Sequence, residues 1–142
     1  MNTKESIQKT FIRLYSKIDY NNITIKELCI QTPVARTTFY SYYSNIEELK
    51  SDIEMSFLNG LRDLVFHFQE QDLAFIDLHE FLKCSMVYIE NNWETVYAFL
   101  VIQPDICFID KWKSYIKEHF NKHYSEKQYN DNYKLISEII AS

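Results

Sequence analysis

Residues 23–49 read ITIKELCIQTPVARTTFYSYYSNIEEL, and this stretch decides the fold. Thr24 with Glu27 three positions on has the pattern of a capping box. In that motif the threonine hydroxyl accepts from the glutamate amide, and the carboxylate reaches back to the threonine amide. A short helix is expected next, with Ile25, Leu28 and Cys29 inward. It should end near Thr32, because the residue before a proline, here Pro33, is driven out of the α region. Val34 reads as a buried anchor in a turn, and residues 35–42, ARTTFYSY, as a second short helix. Asn45 and Glu48 then repeat the capping pattern and open a long helix.

Upstream, Ile7, Phe11, Leu14, Tyr15 and Ile18 recur at helical spacing, which predicts a helix over about residues 4–18 with one buried stripe. Asp19-Tyr20-Asn21-Asn22 breaks it, since this cluster favours turns. Downstream, the long helix carries the stripe Ile46, Leu49, Ile53, Phe57, Leu61, Leu64, Val65 and Phe68. Gly60 inside it costs about 1 kcal/mol relative to alanine and marks either a closely packed neighbour or a hinge. Further helices are expected over about 76–91, 93–101 and 129–141, the last turning Tyr133, Ile136, Ile139 and Ile140 to one face. Pro104 suits the first turn of another, which buries Phe108, Ile109, Trp112, Ile116 and Phe120.

Composition excludes much else. The chain has 142 residues, 46% of them hydrophobic and 16% aromatic, too apolar for intrinsic disorder. With one glycine and two prolines it lacks the residues of a Gly-rich phosphate loop or a turn-rich β fold. The expected class is all-α: an N-terminal three-helix unit joined by a long fourth helix to a C-terminal helical bundle. No stretch reaches the roughly 18 apolar residues of a membrane span, and MNTKESIQKT is not a signal peptide, so a cytoplasmic location is expected. Cys29, Cys84 and Cys107 lack C-x-x-C spacing and read as reduced thiols. His119 and His123 lie four apart beside Glu118, but two ligands without a third do not make a metal site. His67 and His79 are isolated, and no nucleophile–base pair with motif spacing occurs. No cofactor, metal or enzymatic activity is expected.

Net charge is −5, which alone speaks against nucleic acid. The charge is uneven, however: residues 1–50 carry seven Lys/Arg against five Asp/Glu, a net +2, and the remainder is −7. Two short helices joined by a tight turn and packed on a preceding helix make a helix-turn-helix, whose second helix enters the major groove. Here that helix offers apt chemistry. Arg36 has a planar fork for guanine O6 and N7, and Thr37 and Thr38 bring hydroxyls and methyls. Tyr40 and Tyr42 are long enough for backbone oxygens, while Phe39 and Tyr43 point to the core.

Residues 23–49 resemble the DNA-binding signature of the TetR family of bacterial transcriptional regulators. That signature has a threonine-led second helix, a turn, a T-x-Y pair matched by Thr38 and Tyr40, and an acidic start to the fourth helix. The resemblance implies phosphate contacts at Thr24 and Lys26, base reading by Arg36 and Thr37, and backbone or mixed contacts at Thr38, Tyr40 and Tyr42. It implies residues 1–49 as the DNA-binding domain and 50–142 as a ligand-binding and dimerisation domain. A homodimer, usually a repressor, would place two recognition helices about 34–36 Å apart on a near-palindromic operator, and a small-molecule inducer would release it. The stretch FLKCSMVYIENNWETVYAFL, residues 81–100, resembles short Gram-positive regulators, some linked to dihydroxyacetone metabolism.

Three residues depart from the family pattern. Pro33 stands where glycine with positive φ is usual, a value proline is expected not to adopt, so the turn is expected to differ and the recognition helix to tilt. Ala35 replaces a serine cap, at a cost of roughly 0.5–2 kcal/mol. Ile46 replaces a phosphate-clamping lysine, so binding should be weaker and less salt-dependent. Lys50 is either its substitute or an ordinary solvated lysine. Family members usually continue beyond NYKLISEIIAS, so either a shortened final helix or a truncated chain is expected. The aromatics after residue 50, among them Phe57, Trp93, Tyr97, Phe99, Phe108 and Trp112, line a ligand pocket or form core and dimer interface. With the acidic balance, these departures motivate a rival: a helical protein-interaction module with weak or no specific DNA binding.

Overall fold

The computed structural model describes residues 1–70, 78–125 and 138, apart from the side chains of 65, 67–70, 78, 79, 81 and 118–125. Helices α1 (Thr3–Tyr15), α2 (Ile25–Gln31) and α3 (Arg36–Tyr42) precede the long α4 (Ile46–Glu70). They are followed by α5 (Leu78–Asn91), α6 (Trp93–Tyr97) and α7 (Ile106–Ser125), and no strand occurs among the described residues. The fold is all-α, as the sparse glycine and helical periodicity predict. The expected helix over 129–141 and the side chains of His67, His79, His119 and His123 lie outside the described residues.

Helices α1, α2 and α4 each begin where the sequence supplies a cap. Asn2 and Glu5 form a reciprocal capping box on α1, with Glu5 N donating to Asn2 Oδ1 at 2.8 Å and Asn2 N to Glu5 Oε2 at 3.2 Å. The box expected at Thr24 is only half formed. Glu27 N donates to Thr24 Oγ1 at 3.2 Å, but the Glu27 carboxylate accepts from Gln31 Nε2 at 2.6 Å instead of turning back. At α4, Glu48 N donates to Asn45 Oδ1 at 2.8 Å, and the Glu48 carboxylate reaches one residue further, to Ser44 N at 2.7 Å. That amide bond holds the Glu48 carboxyl below its ordinary pKa.

The buried residues form one cluster. Ile7, Phe11, Leu28, Phe39 and Leu49 are fully buried where α1–α4 meet, and Phe99 and Phe108 further along. Tyr15 links the two groups, its ring edge-on to Phe99 at 4.9 Å. Along α4 the stripe holds at Leu49, Ile53, Phe57 and Leu61, with Leu58 added, while Ile46 and Leu64 are partly buried. Gly60 is a packing glycine: a Cβ there would stand 2.6 Å from Tyr88 Cζ, and the Tyr88 hydroxyl donates to the Phe57 carbonyl at 2.9 Å.

Two expectations about the 93–106 region are corrected. The helix expected through 101 is α only to Tyr97. Ala98–Ile102 then widens to a π-helical segment closed by Gln103 N donating to the Ala98 carbonyl at 3.1 Å. Pro104 is not in the first turn of α7. Asp105 caps that helix, accepting from Phe108 N at 3.0 Å, and Pro104 precedes the cap.

That widened segment meets the first helices. The Gln103 side chain donates to the Tyr15 and Ile18 carbonyls at 2.5 and 2.7 Å and accepts from Tyr20 N at 3.0 Å. Beside it, Lys50 pairs with Glu54 at 2.9 Å and with Asp105, and Glu54 also takes Lys111 at 3.0 Å. Lys50 is therefore neither a solvated lysine nor a substitute phosphate clamp: its ammonium turns inward, over the Tyr20 ring at 5.3 Å. Burial alone would raise the Asp105 carboxyl, but the bonds from Lys50 and Phe108 N outweigh it and hold its pKa below the ordinary value.

Candidate nucleic-acid interface

α3 is fixed at both ends. At its start, Val34 N donates to the Cys29 carbonyl at 3.1 Å, which closes the end of α2 as the long bond of a Schellman turn. Pro33 takes the left-handed position of that turn with φ 25°. The expectation that proline would force a different turn is thus corrected: the positive φ is kept, far from the roughly −65° that the ring favours. Ala35 is the N-cap of α3 and offers no side-chain bond, as expected from the missing serine.

At the other end Tyr43 is 3% exposed, and its hydroxyl donates to Asp52 Oδ2 at 2.8 Å. Gln8 Nε2 donates to the same carboxylate at 2.9 Å and to the Tyr43 hydroxyl at 3.1 Å, and Lys4 pairs with Asp52 at 2.9 Å. Burial and the Asp52 carboxylate push the Tyr43 phenol above its usual range. For Asp52, burial works upward, but the Lys4 and Tyr43 bonds outweigh it and lower the carboxyl. α3 is thereby bonded to both α1 and α4. Between the two ends, Phe39 is fully buried and anchors the helix.

With Phe39 inward, the 100° step per residue decides what faces out. Thr37 and Ser41 lie furthest from the core, Arg36 and Tyr40 flank them on one side, and Thr38 and Tyr42 on the other. Arg36, Thr37, Tyr40 and Tyr42 are exposed and Thr38 is half-buried. Thr24 and Lys26, at the start of α2, are exposed too. Among the described residues neither Lys26 nor Arg36 forms an ion pair. Thr24 accepts one hydrogen bond as a cap, which leaves its hydroxyl proton for an outside acceptor.

Ile46 is packed against the core and contributes no polar group to this surface. Ser41, absent from the sequence candidates, stands one turn beyond Thr37 in the centre of the outward face, and its hydroxyl donates to the Thr38 carbonyl at 2.6 Å. The signal for it was present as i,i+4 spacing from Thr37.

Fold and surface together define an all-α helix-turn-helix protein whose second short helix presents a polar face on which Arg36 forms no ion pair among the described residues. The structure superposes on the crystal structure of a TetR/AcrR-family transcriptional regulator from Aquifex aeolicus VF5 with a TM-score of 0.70 and 21% identity. The match covers 97% of this chain and 80% of that one, so the chain has the fold of that regulator. The HTH-type transcriptional regulator YxbF of Bacillus subtilis (strain 168), itself uncharacterised, is 44% identical over 48 residues. Those residues are 33% of this chain and 13% of that protein, so the match spans a small part of the relative's length. No family model matches the sequence. The resemblance of residues 81–100 to regulators linked to dihydroxyacetone metabolism gains no support from these comparisons.

Proposed function

We propose that this chain is a TetR/AcrR-type transcriptional regulator that binds double-stranded DNA through α3. Residues 1–49 form the DNA-reading unit, and 50–142 carry dimerisation and response to a small-molecule inducer. Arg36 and Thr37 read base edges, Thr38, Tyr40 and Tyr42 make backbone or mixed contacts, and Thr24 and Lys26 hold phosphates from the start of α2. As a homodimer the protein sits on a near-palindromic operator as a repressor, and an inducer releases it by favouring a state with the wrong spacing between recognition helices.

The observation that supports this reading best is the outward face of α3: a guanidinium and hydroxyls in solvent, on a helix held by Phe39 beneath and by the Tyr43–Asp52 bond at its end. Direct contacts of this kind carry sequence information, whereas phosphate contacts position the protein. The test is a footprint on the DNA flanking the chain's own gene, beside a random duplex at low salt. A protected site is expected, and Arg36→Ala should relax discrimination at one base pair by roughly 1–3 kcal/mol. Indifference between the two duplexes would favour the protein-interaction module, and equal loss on every sequence would remove the reading role of Arg36.

A further inference from the structure

A groove of 580 Å³ lies between α1, the α2–α3 turn and α6, away from the outward face of α3. Small-molecule sites commonly fall between about 300 and 1,000 Å³. α1 lines it with Lys9 and Arg13, spaced four apart and so stacked along one helical face, and Lys17 follows in the turn just past the end of α1. Lys9, Arg13 and Lys17 form no ion pair among the described residues. The Arg13 guanidinium donates only to Gln31 Oε1, at 3.3 Å. α6 lines it with Trp93 and Tyr97, whose rings stack at 5.6 Å and 28° yet remain 54% and 40% exposed. Glu94 is the one carboxylate among the lining residues.

Two features here ask for the same ligand. A stacked ring pair left in solvent is a platform for another flat ring, and a row of uncompensated cations attracts an anion. An inorganic anion would leave the rings unused, and a neutral aromatic would leave the cations unused. We propose that this groove binds a small planar aromatic anion, its ring on the Trp93–Tyr97 pair and its carboxylate or phosphate against Lys9, Arg13 and Lys17. A molecule seated there touches α1, the Gln31–Pro33 turn leading into α3, and α6 at once.

The test is isothermal titration of the full chain without DNA, so its outcome is independent of the DNA-binding reading. The probes are 2-naphthoate and AMP, with 2-naphthalenemethanol and acetate as matched neutral and ring-free controls. Saturable binding of an aromatic anion with Kd under about 1 mM is expected. Trp93→Ala and Arg13→Ala should each weaken it about tenfold or more, with the helical circular-dichroism signal unchanged. The paired Lys9→Ala/Lys17→Ala variant should weaken it too, and it stands in should Trp93→Ala lose that signal. Preference for 2-naphthoate assigns a carboxylate ligand and preference for AMP a nucleotide. The proposal is overturned by absence of binding to both, by equal binding of the neutral alcohol, or by undiminished affinity in the folded Trp93→Ala variant.

Discussion

Replacing Pro33 with glycine should stabilise the protein, although proline-to-glycine changes ordinarily do the reverse. Pro33 holds φ 25° in the turn between α2 and α3. A backbone outlier of that kind stores about 1–3 kcal/mol, and glycine removes it. A Schellman turn also makes a second, shorter bond, from the amide of the left-handed residue to the helix carbonyl three positions earlier. Here that carbonyl is Ile30's, and proline has no amide proton to give it; glycine does, for about 0.5–1.5 kcal/mol. Against these gains, the unfolded chain becomes freer by two steps, proline to an ordinary residue and then to glycine, at about 0.4–1 kcal/mol each. The balance favours Pro33→Gly by about 1.5 kcal/mol, which for a chain of this size raises Tm by roughly 4–8 °C. Urea unfolding followed by circular dichroism at 222 nm should show a higher midpoint with an unchanged slope. A midpoint lowered by the equivalent of 1 kcal/mol or more would mean that the turn is not strained at residue 33.

Ala35→Ser should add the missing cap on α3 and stabilise by about 0.5–2 kcal/mol; no change in thermal midpoint would show that the new hydroxyl does not reach the free amides. Gly60→Ala should destabilise by about 1–3 kcal/mol through overpacking against Tyr88, even though alanine is the better helix former. A gain in its urea midpoint would make Gly60 a mere helix weakness. Asp105 and Asp52 have depressed carboxyl pKa values, so their stabilisation is complete above the unfolded value near 3.9 and is lost as pH falls through the lower folded values. An acid titration should therefore hold the helical signal to below about pH 4. Asp105→Asn should cost about 1.5–3 kcal/mol at pH 7, the range for a hydrogen bond to a charged group, and flatten the acid limb; an unaltered limb would show that the Lys50 pair contributes nothing.

What could be read in advance was local. Asn45 and Glu48 announce the start of α4, and Phe39 with Tyr43 declares the inner side of α3, because caps and helical periodicity connect residues a few positions apart. Glu27 misled, since Gln31 one turn on competes for its carboxylate. The inward course of Lys50 depends on Asp105, 55 positions later, and the role of Gln103 on carbonyls 85 and 88 positions earlier. Neither leaves a periodic trace. The π-helical stretch after Tyr97 was also invisible, because AFLVI is as apolar as any buried helix and only the partners of Gln103 distinguish it. Of the DNA-facing residues, the exposure of Thr37 follows from the position of Phe39 and that of Ser41 from its i,i+4 spacing to Thr37. Arg36 lies nearer the Phe39 side of the helix, and only the structure shows it exposed.

The Gln103 side chain grips Tyr15, Ile18 and Tyr20 by their main-chain atoms, and the Tyr15 hydroxyl donates back to the Gln103 carbonyl at 3.1 Å. The exposed Ile18 can change side chain without loosening that hold, whereas Tyr15 adds its own hydroxyl bond and its contact with Phe99 to the same junction. At position 103, glutamate would lose the donor and asparagine would fall a methylene short. A substitution at Ile18 would be forgiven where one at Gln103 or Tyr15 would not, and drift between related sequences should be lopsided in the same way.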